Sequence, residues 1–227
     1  ERRAGWMRWA AASAVAVTLA VALAGCGSGE SSSSAPTIVV TTPILGSLVS
    51  DLAGDRAQVK VLMPNGADPH DYQPSAKDVE ALGHADLIVE NGLGLEEGLG
   101  DALDQARDDG VAIFTATDHV ALRPFGADDA QEIAEHGPDD PHIWTSPIAM
   151  REMVGALAPA LASELGIDVA ARAADLEERP TALDARIPPT LAPIPPARRH
   201  LLTRPHPLAP SPRRPALPPP GAPLPPP

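Results

Sequence analysis

Between residues 37 and 166 two hydrophobic patterns take turns along the chain. "TIVVTT" (37–42) is a β-branched run, and "PILGSLVSDLAG" behind it spaces its apolar residues as one face of a helix, with Gly54 as the stop. "AQVKVLMP" (57–64) predicts a second strand, closed by the turn signal Pro64-Asn65-Gly66. "SAKDVEALGHA" predicts a helix with Ser75 as N-cap and Asp78 at the third position, close to a capping box. "DLIVEN" (86–91) predicts a third strand, "LEEGLGDALDQARDDG" a helix and "VAIFTAT" (111–117) a fourth strand. A long acidic loop, "DHVALRPFGADDAQEIAEHGPDD", precedes "SPIAMREMVGALAPALASELG", a helix with Ser146 as cap and Pro147 at its first position. Strand and helix in alternation predict an α/β fold, a parallel sheet with helices on its faces. From Asp168 to Ile187 the pattern is helical again, with Pro180 expected to interrupt it.

The two ends read differently. Arg2, Arg3 and Arg8 head the apolar run "WAAASAVAVTLAVALA", too short for a comfortable membrane span, which ends in "LAGC" at Cys26. That is a lipoprotein signal, with the lone cysteine as the acylated residue. "GSGESSSSAP" follows as a flexible tether. Export and a lipid anchor on the outer face of the cytoplasmic membrane, or a periplasmic location, are therefore expected. The opening residue, Glu1, suggests a start at Met7 or a fragment. Eighteen of the 28 prolines lie in 180–227, and no acidic residue follows Asp184. Such a segment reads as a polyproline, partly cationic tail.

Charge removes one class of partner. The net charge is −13, and Lys60 and Lys77 are the only lysines, so no nucleic-acid partner is expected. Candidate chemistry centres on a repeated triplet, Asp-Pro-His at 68–70 and at 140–142, in a chain with seven histidines. Both copies fall in loops after strands two and four, the end of a parallel sheet where sites form. Each proline stiffens the base from which His70 or His142 departs, and neutral imidazole suits zinc and also serves manganese. Asp68 and Asp140 are placed to close Asx turns. His84 reads as a cap or packing residue, His119 and His136 as members of a solvated loop with Asp128, Asp129, Glu132 and Glu135. Tyr72 and Trp144 are expected to pack under the triplet loops. No phosphate-binding glycine loop and no nucleophile elbow is present.

"GADPHDYQPSAKDVEAL", "ADLIVENGLGLEEGL" and "DPHIWTSPIAM", in that order behind a lipobox, resemble the bacterial solute-binding lipoproteins that feed zinc or manganese to ABC importers. The resemblance covers roughly 37–200. It implies two α/β lobes joined by a long helix, one metal between them, and His70 and His142 as the ligands from the first lobe. Its domain plan is a signal peptide (1–26), a tether (27–36), the metal-binding lobe (37–166), the linker helix (167–192) and a Pro-rich remnant of the second lobe (193–227). Gly98 stands where the family often has tryptophan. The third ligand's place falls at Pro205, with His206 beside it, and the fourth is missing. Scattered family register among the prolines reads as corrupted or truncated sequence from about 180 onward.

The expected function is thus an extracytoplasmic receptor, not an enzyme, that delivers Zn²⁺, or alternatively Mn²⁺, to a membrane permease. A monomer is expected. Two other readings compete: a surface lipoprotein acting by protein contacts, and a metal-dependent hydrolase with Asp71 or Glu90 as base.

Overall fold

The computed structural model describes residues 35–126, 130, 133, 134 and 137–195. Cys26, His136, Pro205 and His206 lie outside them, as does most of the proline-rich segment. Four strands form one sheet: β1 (Thr37–Val40), β2 (Gln58–Val61), β3 (Leu87–Glu90) and β4 (Ile113–Thr115). Their order is β2-β1-β3-β4, and every pairing is parallel. The helices are α1 (Pro43–Ala53), α2 (Ala76–Gly83), α3 (Gly100–Asp108), α4 (Pro147–Leu165) and α5 (Ala170–Leu191). The chain divides by contacts into two units at Asp184 and Ala185. The sheet, its helices through Asp184 and both triplets belong to the first.

Side-chain alternation sorts the helices onto two faces. Ile38, Val40, Leu87, Val89 and Phe114 pack with Leu45 and Val49 of α1, Met153, Val154 and Leu157 of α4, and Ala173 of α5. Val39 and Ile88 point the other way, to Leu82 of α2 and Leu103 of α3. Residues 38–40 and 87–89 are therefore buried on both faces, which is why those strands read as unbroken apolar runs. Strand β2 is an edge and is largely exposed. Each fully buried Ile, Leu or Val contributes about 1.5–3 kcal/mol relative to an exposed one.

Local chemistry sets most of the element ends. Ser75 and Asp78 form the full reciprocal capping box of α2. Ser146 Oγ accepts from Ala149 N at 3.3 Å above Pro147, and Gly166 closes α4 in the left-handed conformation. Two expectations need correction. The helix read over 95–110 starts late: residues 97–99 form a 3-10 turn, and α3 begins at Gly100. The cause is Glu96, whose side chain turns inward to bond the preceding loop. Pro180, expected to interrupt its helix, lies inside α5. It removes one amide donor, while the Thr181 hydroxyl donates to the Glu177 carbonyl at 2.7 Å alongside.

Candidate metal centre

The triplet loops leave the carboxyl ends of β2 and β4, the two outermost strands. Both fold over the sheet end until the rings meet: His70 Nε2 lies 3.3 Å from His142 Nε2, with ring centroids 5.5 Å apart. Each loop is closed by the Asx turn that its sequence suggests. The His70 amide donates to Asp68 Oδ1 at 3.1 Å and the His142 amide to Asp140 Oδ1 at 2.9 Å.

Carboxylates stand behind both rings. Asp140 Oδ1 is 2.7 Å from His142 Nδ1, the geometry of an N–H donated to the carboxylate. With the proton on Nδ1, the lone pair of that ring is on Nε2 and points at the partner imidazole. Glu97 Oε1 lies 3.9 Å from His70 Nδ1. Trp144 meets His142 edge-on at 5.2 Å. Tyr72 packs against the core around Leu62 and Met63, as expected, and also bonds: its hydroxyl donates to Asp78 Oδ2 at 2.9 Å and approaches the Leu62 carbonyl at 3.2 Å. Burial, and then the hydrogen bond and charge of Asp78, push the Tyr72 phenol up to about 12. Burial also pulls the Asp78 carboxyl upward, but bonds from Ser75 and Tyr72 outweigh it and hold that group below its usual range.

The roles of Asn91 and Glu96, between β3 and α3, escaped the sequence reading. Glu96, 4% exposed, accepts from the Thr41 hydroxyl at 2.6 Å and from the amides of Asn91 at 2.7 Å and Gly92 at 3.2 Å. Burial raises its pKa; those hydrogen bonds only partly offset the rise, and nearby Glu90 adds to it. Asn91, fully buried, donates from Nδ2 to the Pro141 carbonyl at 2.9 Å. The acidic loop is pinned at its neck by an antiparallel bridge between Pro124 and Asp139, with Phe125 N donating to Pro138 O at 3.0 Å and Asp140 N to Arg123 O at 2.8 Å.

Other candidates fall elsewhere. The His84 amide caps α2 by donating to the carbonyls of Ala81 and Leu82. His119 stacks on Phe114 with centroids 4.5 Å apart. Glu90, a candidate base of the hydrolase reading, is occupied by Thr115 Oγ1 at 2.6 Å and Arg107 Nη2 at 3.3 Å; Asp71, the other, is exposed. Among the described residues no group of three or more His, Cys, Asp or Glu side chains is disposed to hold a metal. The structure thus assembles a pair of imidazoles. Two nitrogens each about 2.0–2.1 Å from one tetrahedral zinc stand about 3.3–3.4 Å apart. The observed 3.3 Å matches that spacing.

The comparisons point the same way. The chain is 36% identical over 107 residues to the manganese-binding lipoprotein MntA of Halalkalibacterium halodurans, covering 47% of this chain and 32% of that protein. It is 31% identical over 118 residues to the iron ABC transporter substrate-binding lipoprotein MtsA of Streptococcus pyogenes, covering 47% and 34%. The match spans about a third of the length of these curated relatives. Among solved structures it resembles the periplasmic zinc-binding protein TroA of Treponema pallidum, with TM-score 0.61 and 27% identity, over 70% of this chain and 56% of that one. The family model described as "Zinc-uptake complex component A periplasmic" matches residues 38–209, and on that match the chain belongs to the ZnuA family.

Proposed function

We propose that this chain is the extracytoplasmic metal receptor of an ABC importer, with His70 and His142 as ligands of its cargo. The observation that carries the reading is the 3.3 Å approach of two Nε2 atoms from loops 72 residues apart. A divalent ion takes the place of the ring-to-ring contact, and Asp140 keeps the His142 lone pair on the metal side. Zinc is the favoured cargo and manganese the alternative. Imidazole donors suit zinc better than the harder manganese ion, although the relatives named above include manganese- and iron-related proteins. Residues 37–166 serve as the metal-binding lobe and 167–192 as the linker helix. Cys26 carries the lipid that holds the receptor at the outer face of the membrane, beside its permease.

Binding makes and breaks no covalent bond, so affinity is the property to measure. Competition titration with Zn²⁺ and Mn²⁺ on the full chain and its His70→Ala and His142→Ala variants tests the reading. Each substitution is expected to weaken zinc binding by at least tenfold. Unchanged affinity in both variants would remove the two histidines from the site.

A further inference from the structure

The stretch 91–97, which leaves the centre of the sheet, makes contact with each imidazole loop from one of its two ends. At one end Asn91 grips the carbonyl of Pro141, the peptide that carries His142. At the other, Glu97 faces Nδ1 of His70. Between them Glu96 collects the amides of Asn91 and Gly92 and the hydroxyl of Thr41. Asn91 is fully buried, and its backbone carbonyl accepts from Thr117 N at 2.9 Å, so it is fixed from the β4 side as well. A buried amide with this many constraints is expensive to keep if its only task is to fill space.

We infer that Asn91, held by Glu96, is a positioning residue that sets the separation of the His70 and His142 imidazoles and so the affinity for the ion. The inference rests on the metal-receptor reading above. Neither residue touches the ion. Asn91 acts through the Pro141 carbonyl, which fixes where the His142 ring departs. Because β2 and β4 are at opposite edges of the sheet, their own hydrogen bonds do not hold the two loops in register with each other. A brace rising from central β3 supplies that register.

The test is Asn91→Leu in the full chain, which keeps the branched shape and removes the donor, read by zinc competition and by the visible spectrum of bound Co²⁺. Loss of an outer partner of a metal ligand typically costs about 10–100-fold in affinity. A drop in that range, with a changed Co²⁺ spectrum and partial recovery in Asn91→Gln, is the expected result. Wild-type affinity and an unchanged spectrum would overturn the inference. If Asn91→Leu does not melt cooperatively, Glu96→Gln carries the test, because an amide cannot accept from all three donors; the same loss is expected and wild-type affinity again overturns the idea. His70→Ala and His142→Ala run alongside separate the two claims. If those two lose zinc while the brace variants keep it, only the positioning role fails. If those two keep zinc, the receptor reading itself fails.

Discussion

Tyr72 ties the first triplet loop to the start of α2, and its phenol makes that tie measurable by pH. Its folded pKa, about 12, lies above the value near 10 expected for an unfolded chain. A group raised on folding contributes stability that is fully present below its unfolded pKa and is lost as pH rises through the folded one. Tyr72→Phe is therefore expected to cost about 1 kcal/mol by chemical denaturation at neutral pH. The gap between wild type and variant should close as pH rises from 10 towards 12. A gap that stays constant across that range would show that the hydroxyl contributes nothing through Asp78. At this scale much of the site is legible in sequence. The Asp-Pro-His repeat carries its own Asx turns, and Ser75 with Asp78 announces a capping box, because these contacts are local. Asn91 and Glu96 carry no such signal. Their partners Pro141 and Thr41 are 50 and 55 positions away, and no periodicity encodes a contact that only the sheet order creates.

Among the elements, the short turn at 97–99 shows why one departure from the family pattern matters. Gly98, which the resemblance sets where tryptophan is expected, has no room for a side chain here: a Cβ built there would collide with the Tyr72 carbonyl and crowd the Gln73 side chain. The first triplet loop has settled into the space that a side chain would fill. Gly98→Ala is expected to destabilise the chain by about 1–3 kcal/mol through that collision. It should also weaken metal binding, since the displaced backbone leads directly to His70. Denaturation midpoints and zinc competition measure the two effects; a variant with neither would mean the loop moves aside freely. The start of α3 is illegible in the sequence for a related reason. Glu96 looks like a helix residue in the sequence, but its carboxylate serves the preceding loop, and α3 has to wait until Gly100.

For the molecule as a whole, the described sheet has buried apolar cores on both faces that do not depend on an ion. Metal then acts by linkage: zinc at about 100 times its dissociation constant adds about 2.7 kcal/mol to stability. The melting temperature of the full chain should rise on zinc addition and return on chelation. The rise should be clearly smaller in His70→Ala and His142→Ala; an equal rise in those variants would mean that zinc binds elsewhere. The α/β class was readable from alternation alone, since each buried strand announces itself as a short apolar run. What alternation leaves out is that β2 and β4, far apart in the sheet, deliver their loops to one point.

The pinned neck at Pro124 and Asp139 has a consequence for how this part of the chain can vary. The bridge brings the chain back beside itself at those two residues, and Asp140 N is fixed to the Arg123 carbonyl just outside it. Added length beyond the neck is charged only for its own closure, about 0.6 kcal/mol per doubling. The sequence between those two residues can therefore grow, shrink or change its charge while the imidazole of His142 keeps its place. In engineering terms it is a cloning site that the fold provides beside the paired imidazoles.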